Sequence, residues 1–318
     1  MKVSPILLYA VQFGAVAFAA PSPDKSSFDW DSIKPSKDLE YHDCYGEFKC
    51  ARLQVPLDWK NESDTRRVVL AITKLPAVVP DDDPTFGGSV FTNPGGPGGS
   101  GVSWVRNFGR NLRFVVDKPG QRHYEIVSWD PRGIGKTIPR LDCYPYNTLA
   151  RDADILSLVA NGALDRSPAS LSFALAIEKN IGSRCKDAEE QVGEILPYVN
   201  TPSVARDMVE MIDKIDELRK REATAKHDED RLELRKRKIQ KNEYDVPRLQ
   251  YIGFSYGTIL GNYFASLFPG RVGRVVLDGV CNTDDYANGP VSLHQDYSAY
   301  AMKFHVSNMH SRGGLQTL

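Results

Sequence analysis

R-L-Q-Y-I-G-F-S-Y-G-T-I-L-G-N-Y-F-A-S-L-F runs from Arg248 to Phe268. Leu249, Tyr251 and Ile252 read as a short buried strand, and Ile259, Leu260, Tyr263, Phe264 and Leu267 recur at helical spacing. Between them lies G-F-S-Y-G, Gly253 to Gly257. A bare G-x-S-x-G pattern is common, but strand, tight turn and helix in that order make it a nucleophile elbow. The turn forces its middle residue into a strained backbone conformation, and glycines flank it because strand and helix crowd there. Ser255 is therefore the candidate nucleophile. The N–H of Tyr256, at the start of the helix, points where an oxyanion would form.

Outward from this point, the chain reads as alternating strands and helices. Phe48 to Leu57 and Arg67 to Leu75 form an opening hairpin. Ser89 to Thr92 is a short strand that enters N-P-G-G-P-G-G-S-G, Asn93 to Gly101. Tyr124 to Trp129 is a buried strand ending in D-P-R-G-I-G, Asp130 to Gly135. Thr137 to Asn200 has helical character without a sheet pattern. Thr201-Pro202-Ser203 opens a helix through Leu218. Residues 214–245 are dense in charges of both signs and read as an exposed helical extension or insertion. Arg274 to Leu277 is the strand after the elbow helix, and a last helix is expected over Tyr297 to Val306. An antiparallel start followed by βα units predicts an α/β-hydrolase fold, a mostly parallel sheet with helices on both faces.

The remaining motifs fit that chemistry. A tetrahedral intermediate needs two N–H donors, and the second comes from the glycine-rich loop after an earlier strand, which makes Gly95 and Gly96 the candidates beside Tyr256. That loop lacks the G-K-[ST] ending of a phosphate cradle. Asp130 and Arg132 are assigned to ion pairing and turn formation. None of the six histidines forms a metal pattern, so neither metal nor cofactor is expected. Asp278 ends the strand after the elbow and is either the orienting acid or a turn cap. His294, His305 and His310 follow Ser255, but no further strand separates them from Asp278, so none is assigned as the base.

The 318 residues, 41% of them hydrophobic, suffice for one large α/β domain over residues 41–318. A net charge of −1, from 40 basic and 41 acidic residues, argues against nucleic acid or an anionic membrane as partner. Residues 1–20 carry one charge, Lys2, an apolar run from Ile6 to Ala19 and an Ala17-Phe18-Ala19 cleavage pattern. They read as a secretory signal peptide, too short for a membrane anchor, and the polar residues 21–40 read as a loose leader. The chain is thus expected to be secreted, with no membrane contact after cleavage. Secretion makes disulfides plausible. Cys44 and Cys50 flank a five-residue loop, Cys143 and Cys185 bracket one continuous region, and Cys281 is left over. Asn61-Glu62-Ser63 is a glycosylation sequon, placing a glycan on Asn61.

N-P-G-G-P-G-G-S-G, W-D-P-R-G-I-G, T-P-S-V-A-R-D-M and the elbow with its following R-V-V-L-D-G-V resemble the secreted tripeptidyl-aminopeptidase and proline-iminopeptidase-like α/β-hydrolases. The opening C-x5-C-A-R-L-Q-V-P-L-D-W is also similar to that family's start, and the resemblance covers Tyr41 to Val280. It implies a serine hydrolase that releases short N-terminal fragments from peptides, with a small ester as the alternative substrate. The family's C-terminal part, which carries its catalytic Asp and His, has no counterpart here. The expectation is a C-terminally truncated fold with impaired activity. The rival readings are a non-catalytic secreted binding protein and a gene-model fragment.

Overall fold

A computed structural model describes residues 27–145, 147–225, 246–283, residue 286 and the strand Ser307–Asn308. The signal-peptide stretch, most of the charged insertion and the helix expected over Tyr297 to Val306 lie outside the described residues. Among the described residues eight strands form one sheet: β1 His42–Cys44, β2 Phe48–Pro56, β3 Arg67–Leu75, β4 Phe86–Asn93, β5 His123–Asp130, β6 Leu249–Phe254, β7 Val272–Asp278 and β8 Ser307–Asn308. Their spatial order is β1-β2-β3-β5-β4-β6-β7-β8. β1, β2 and β3 pair antiparallel, and β3 also meets β5 antiparallel. The body, β5-β4-β6-β7, is parallel throughout, with β8 antiparallel at its edge. This is the expected architecture of an antiparallel opening followed by parallel βα units.

Helices cover both faces because successive strand residues point to opposite sides. Phe91 of β4 belongs to a core with Trp129, Met208, Ile212, Leu260 and Phe264. Its neighbour Val90 belongs to a second core with Val102, Val105, Ile126 and Ile252. Helix α1 (Gly101–Val116) covers the second face, while α4 (Thr201–Ala225) and α5 (Tyr256–Leu267) cover the first. Ser100 caps α1 by accepting the Ser103 N–H. Between β5 and α4 stand α2 (Thr148–Asn161), capped by Asn147, and α3 (Pro168–Val192), capped by Ser167. Cys143 is bonded to Cys185 across this hairpin, and Cys44 to Cys50 across the β1–β2 turn; the Cys281 thiol is free.

Two readings from sequence are corrected. Residues 27–40 are not a loose leader. Trp30, Ile33 and Leu39 are buried, and Ser36 exchanges main-chain hydrogen bonds with Arg52 and Gln54 at the edge of β2. The helix expected to end at Leu218 continues to Ala225, so part of the charged run is folded. It continues because Arg219 has a buried partner: its Nη2 donates to Glu125 Oε1 at 2.8 Å, while Lys74 donates to Oε2 at 2.9 Å and Ser89 to Oε1 at 2.6 Å.

A second buried ion pair locks α4 to the sheet. The Arg132 guanidinium forks onto Asp207, Nε to Oδ2 at 2.6 Å and Nη2 to Oδ1 at 2.7 Å. Its remaining donors reach the carbonyls of Pro56 and Leu57, and the Trp59 indole donates to Asp207 Oδ1 at 2.8 Å. Both side chains are 0% exposed. The assignment of Arg132 to ion pairing agrees with this geometry.

Breaking such a pair leaves one charge stranded in a medium that cannot solvate it. Asp207→Ala is expected to cost about 3–5 kcal/mol in urea unfolding, and adding Arg132→Met to recover part of that loss. Glu125 gives a pH signature. Burial works against its charged form, but Lys74, Arg219 and Ser89 outweigh burial and hold the carboxyl below the ordinary glutamate value. A depressed carboxylate contributes stability above its unfolded pKa and loses it as pH falls through the folded value. The stability gap between wild type and Glu125→Gln should therefore be full at neutral pH. It should close only below about pH 4.3, the unperturbed glutamate value, as read by acid titration of urea midpoints.

Candidate active site

β6 delivers its last residue to a turn too tight for side chains. A Cβ on Gly253 would lie 2.4 Å from the Gly257 carbonyl oxygen, and one on Gly257 2.6 Å from that of Asn93. Ser255, between them, has φ 52° and ψ −123°. A non-glycine residue there is strained and persists because its surroundings over-determine it. Its N–H donates to the Asp278 carbonyl at 3.0 Å, and its carbonyl accepts the Thr258 N–H at 2.8 Å and Oγ1–H at 2.7 Å. Ser255 occupies the N-cap position of α5, yet its side chain makes no capping bond. The hydroxyl is left exposed at the C-terminal end of the strand.

The loop after β4 closes on this turn. A Cβ on Gly95 would meet the Phe254 carbonyl at 2.4 Å, Ser255 Cβ at 2.9 Å and Tyr256 N at 2.9 Å. Gly95 and Gly96 both have positive φ, 91° and 116°. Among the described residues, the N–H groups of Gly96 and Tyr256 meet no protein acceptor, whereas the Gly95 N–H donates to Asn93 Oδ1 at 2.9 Å. The Tyr256 phenol is held by Thr201 Oγ1 at 2.8 Å, and burial pushes its pKa up. Beside the serine, Trp104, Phe108 and Phe254 stack into an aromatic wall.

The other candidates are placed as follows. Asp278 touches the turn through its main chain, and its carboxylate has no described partner. Asp130 anchors the start of α1, accepting from Ser100 Oγ at 2.6 Å and Val102 N at 3.1 Å, and takes the Lys136 N–H at 2.7 Å. Burial raises its pKa against those bonds. Of the histidines, His42 is exposed on β1, and His123 faces Asp117 at the start of β5, away from Ser255. His227, His294, His305 and His310 lie outside the described residues. Asn61 sits in an exposed turn, its Oδ1 accepting from Ser63. Among the described residues no cluster of three His, Cys, Asp or Glu could hold a metal ion, and no helix is long and apolar enough to cross a membrane. A cavity of about 190 Å³ walled by Tyr41, Lys74 and Arg219 lies at the opposite end of the sheet and does not touch the serine.

Asn93 and Tyr251 carry parts of the site that the motif reading passed over. The Tyr251 hydroxyl donates to the Gly257 carbonyl at 2.8 Å and braces the first turn of α5. For Asn93 a signal was present, since Asn-Pro-Gly favours a side-chain-closed turn.

Residues 88–301 match the family model described as alpha/beta hydrolase fold. The chain belongs to that family. It is similar to the tripeptidyl aminopeptidase of Streptomyces coelicolor, 27% identical over 266 residues, which cover 84% of this chain and 40% of that protein. It is also similar to serine protease Hip1 of Mycobacterium tuberculosis, 29% identical over 231 residues, or 72% of this chain and 35% of that one. Carboxylesterase B of the same organism is 31% identical over 161 residues, or 50% and 28%. The chain thus spans 40% or less of the length of these relatives.

The crowding at the turn is testable without any substrate. Gly253→Ala drives a Cβ into backbone and is expected to cost about 1–3 kcal/mol in thermal or urea unfolding. Gly270→Ala, where no atom lies within 4 Å, should stay within about 0.5 kcal/mol of wild type.

Proposed function

We propose that the chain is a secreted serine hydrolase that releases short N-terminal fragments from peptides through an acyl-enzyme on Ser255. The observation that carries this reading is the exposed, uncapped hydroxyl of a serine held at φ 52° against a glycine loop. In this mechanism Ser255 Oγ attacks the scissile carbonyl and loses its proton to a base. The oxyanion forms against the N–H groups of Tyr256 and Gly96, at the positive end of α5. The amine leaves with a proton, and water then cleaves the acyl ester. The aromatic wall of Trp104, Phe108 and Phe254 offers apolar side chains a surface on one flank. Secretion is supported by the apolar leader and by two disulfides. A small ester is the second candidate substrate, favoured by the similarity to a carboxylesterase, since one acyl-enzyme serves both reactions.

Among the described residues the base is the missing participant. The described residues bring no imidazole to Ser255, and a serine hydroxyl is a weak nucleophile at neutral pH without one. Asp278 is the candidate carboxylate, on the residue whose main-chain carbonyl accepts the Ser255 N–H at 3.0 Å. With the hole but no base, turnover is expected at about 10³–10⁴-fold over the uncatalysed reaction. The purified chain should be offered N-terminally free tripeptide anilides, simple esters and a fluorophosphonate. Slow labelling at Ser255, abolished in Ser255→Ala, is the expected result. Rapid turnover would instead make one of His294, His305 or His310 the base, identified by alanine substitution of each. No labelling at all would favour the binding-protein reading.

A further inference from the structure

Of the two glycines offered to an oxyanion, one is already engaged. Asn93 ends β4 with 1% of its surface exposed, and its Oδ1 accepts the Gly95 N–H at 2.9 Å. The Gly95 carbonyl in turn accepts the Gly99 N–H at 3.0 Å, which closes the loop on itself. The same asparagine reaches the nucleophile helix: its main-chain oxygen lies 2.6 Å, and its Oδ1 3.2 Å, from where a Cβ on Gly257 would stand. One buried side chain therefore sits between the end of β4, the glycine loop and the first turn of α5.

Satisfying the Gly95 N–H in this way has a geometric consequence. Gly95 leaves no room for a side chain against the turn, since a Cβ on it would stand 2.9 Å from both Ser255 Cβ and the Tyr256 nitrogen. The N–H one peptide further on, that of Gly96, is the loop's nearest donor without a protein acceptor among the described residues. We propose that Asn93 is a positioning residue, which holds the Gly95 N–H so that Gly96 and Tyr256 are the two donors presented to an oxyanion on Ser255. This rests on the hydrolase reading of Ser255. A hole is useful in proportion to its preorganisation, and an unpinned glycine loop would have to order itself at the moment of reaction.

The first arm of the test is amide hydrogen exchange followed by NMR on the whole chain. In wild type the Gly95 amide should be protected and the Gly96 amide should exchange at least about tenfold faster, as a bonded and an unbonded donor do. Asn93→Ala should release Gly95 while Phe91, in the core of β4, stays protected. Asn93→Asp, which keeps an acceptor at the same place, should preserve the pattern. The second arm is the rate of fluorophosphonate labelling at Ser255. Asn93→Ala should lower the maximal labelling rate by about 100-fold with little change in the probe concentration that half-saturates it, and Asn93→Asp should restore most of the rate. Equal exchange of Gly95 and Gly96 in wild type overturns the proposal, and that measurement needs no folded variant. Wild-type labelling rates in Asn93→Ala overturn the role of Asn93 alone. A wild-type protein that never labels overturns the hydrolase reading, and the catalytic meaning of the loop with it.

Discussion

Backbone approaches backbone at the elbow more closely than a methyl group allows. The ends of β4 and β6 and the first turn of α5 meet within a space where Cβ atoms on Gly95, Gly253 and Gly257 would fall 2.4–2.6 Å from carbonyl oxygens. This steric constraint puts Ser255 in the left-handed region and leaves its side chain with no direction to take but outward. It also fixes what surrounds the serine. Thr258 donates from both its N–H and its hydroxyl to the Ser255 carbonyl, and its Oγ1 accepts the Cys281 N–H at 3.0 Å. The chain leaving β7 is therefore tied to the same turn as the loop leaving β4.

Strain of this kind costs on the order of 1–3 kcal/mol and must be held by structure that is rigid for other reasons. The rigidity comes from two buried ionic clusters on α4. Arg132 and Asp207 fasten the start of α4 to the end of β5 and to the carbonyls leaving β2. Arg219 fastens the far end of α4 to Glu125 and Ser89, near the opposite ends of β5 and β4. Between them Met208, Ile212 and Ile215 pack against the sheet, beside Leu260 and Phe264 of α5. Neither cluster need add much net stability, since desolvating the charges offsets most of their attraction. Their contribution is register: α4 can seat on the sheet in one position, and α5 packs against α4.

Much of this was legible in the sequence because the relevant signals are local. The apolar run of Arg67 to Leu75, the helix start at Thr201-Pro202-Ser203 and the glycine spacing around Ser255 each report on a few neighbouring residues, although the side chain that caps α4 is that of Asn200, whose Oδ1 accepts the Ser203 N–H. The disulfide pairs follow from proximity along the chain, and the parallel sheet from the alternation of elements. What stayed illegible depends on partners far away in sequence. Arg219 looks like one more charge in a solvated run until Glu125, 94 residues away, is seen beneath it. Residues 27–40 look polar, but Trp30, Ile33 and Leu39 are spaced to meet a sheet edge that the sequence does not display. Asn93 reads as the first letter of a glycine loop, though its buried side chain accepts the Gly95 N–H.

On the proposed hydrolase reading, the position and the reactivity of Ser255 are separate properties. The elbow and the glycine loop depend on the meeting of β4, β6, β7 and α5, all within the described residues, and they form whether or not an imidazole is near. Reactivity depends on a proton acceptor, and neither described histidine can serve, because His123 is paired with Asp117 at the wrong end of β5 and His42 lies on the far edge strand. A scaffold built this way can present a strained serine and two N–H donors to a carbonyl while its chemistry is set by whichever base reaches it.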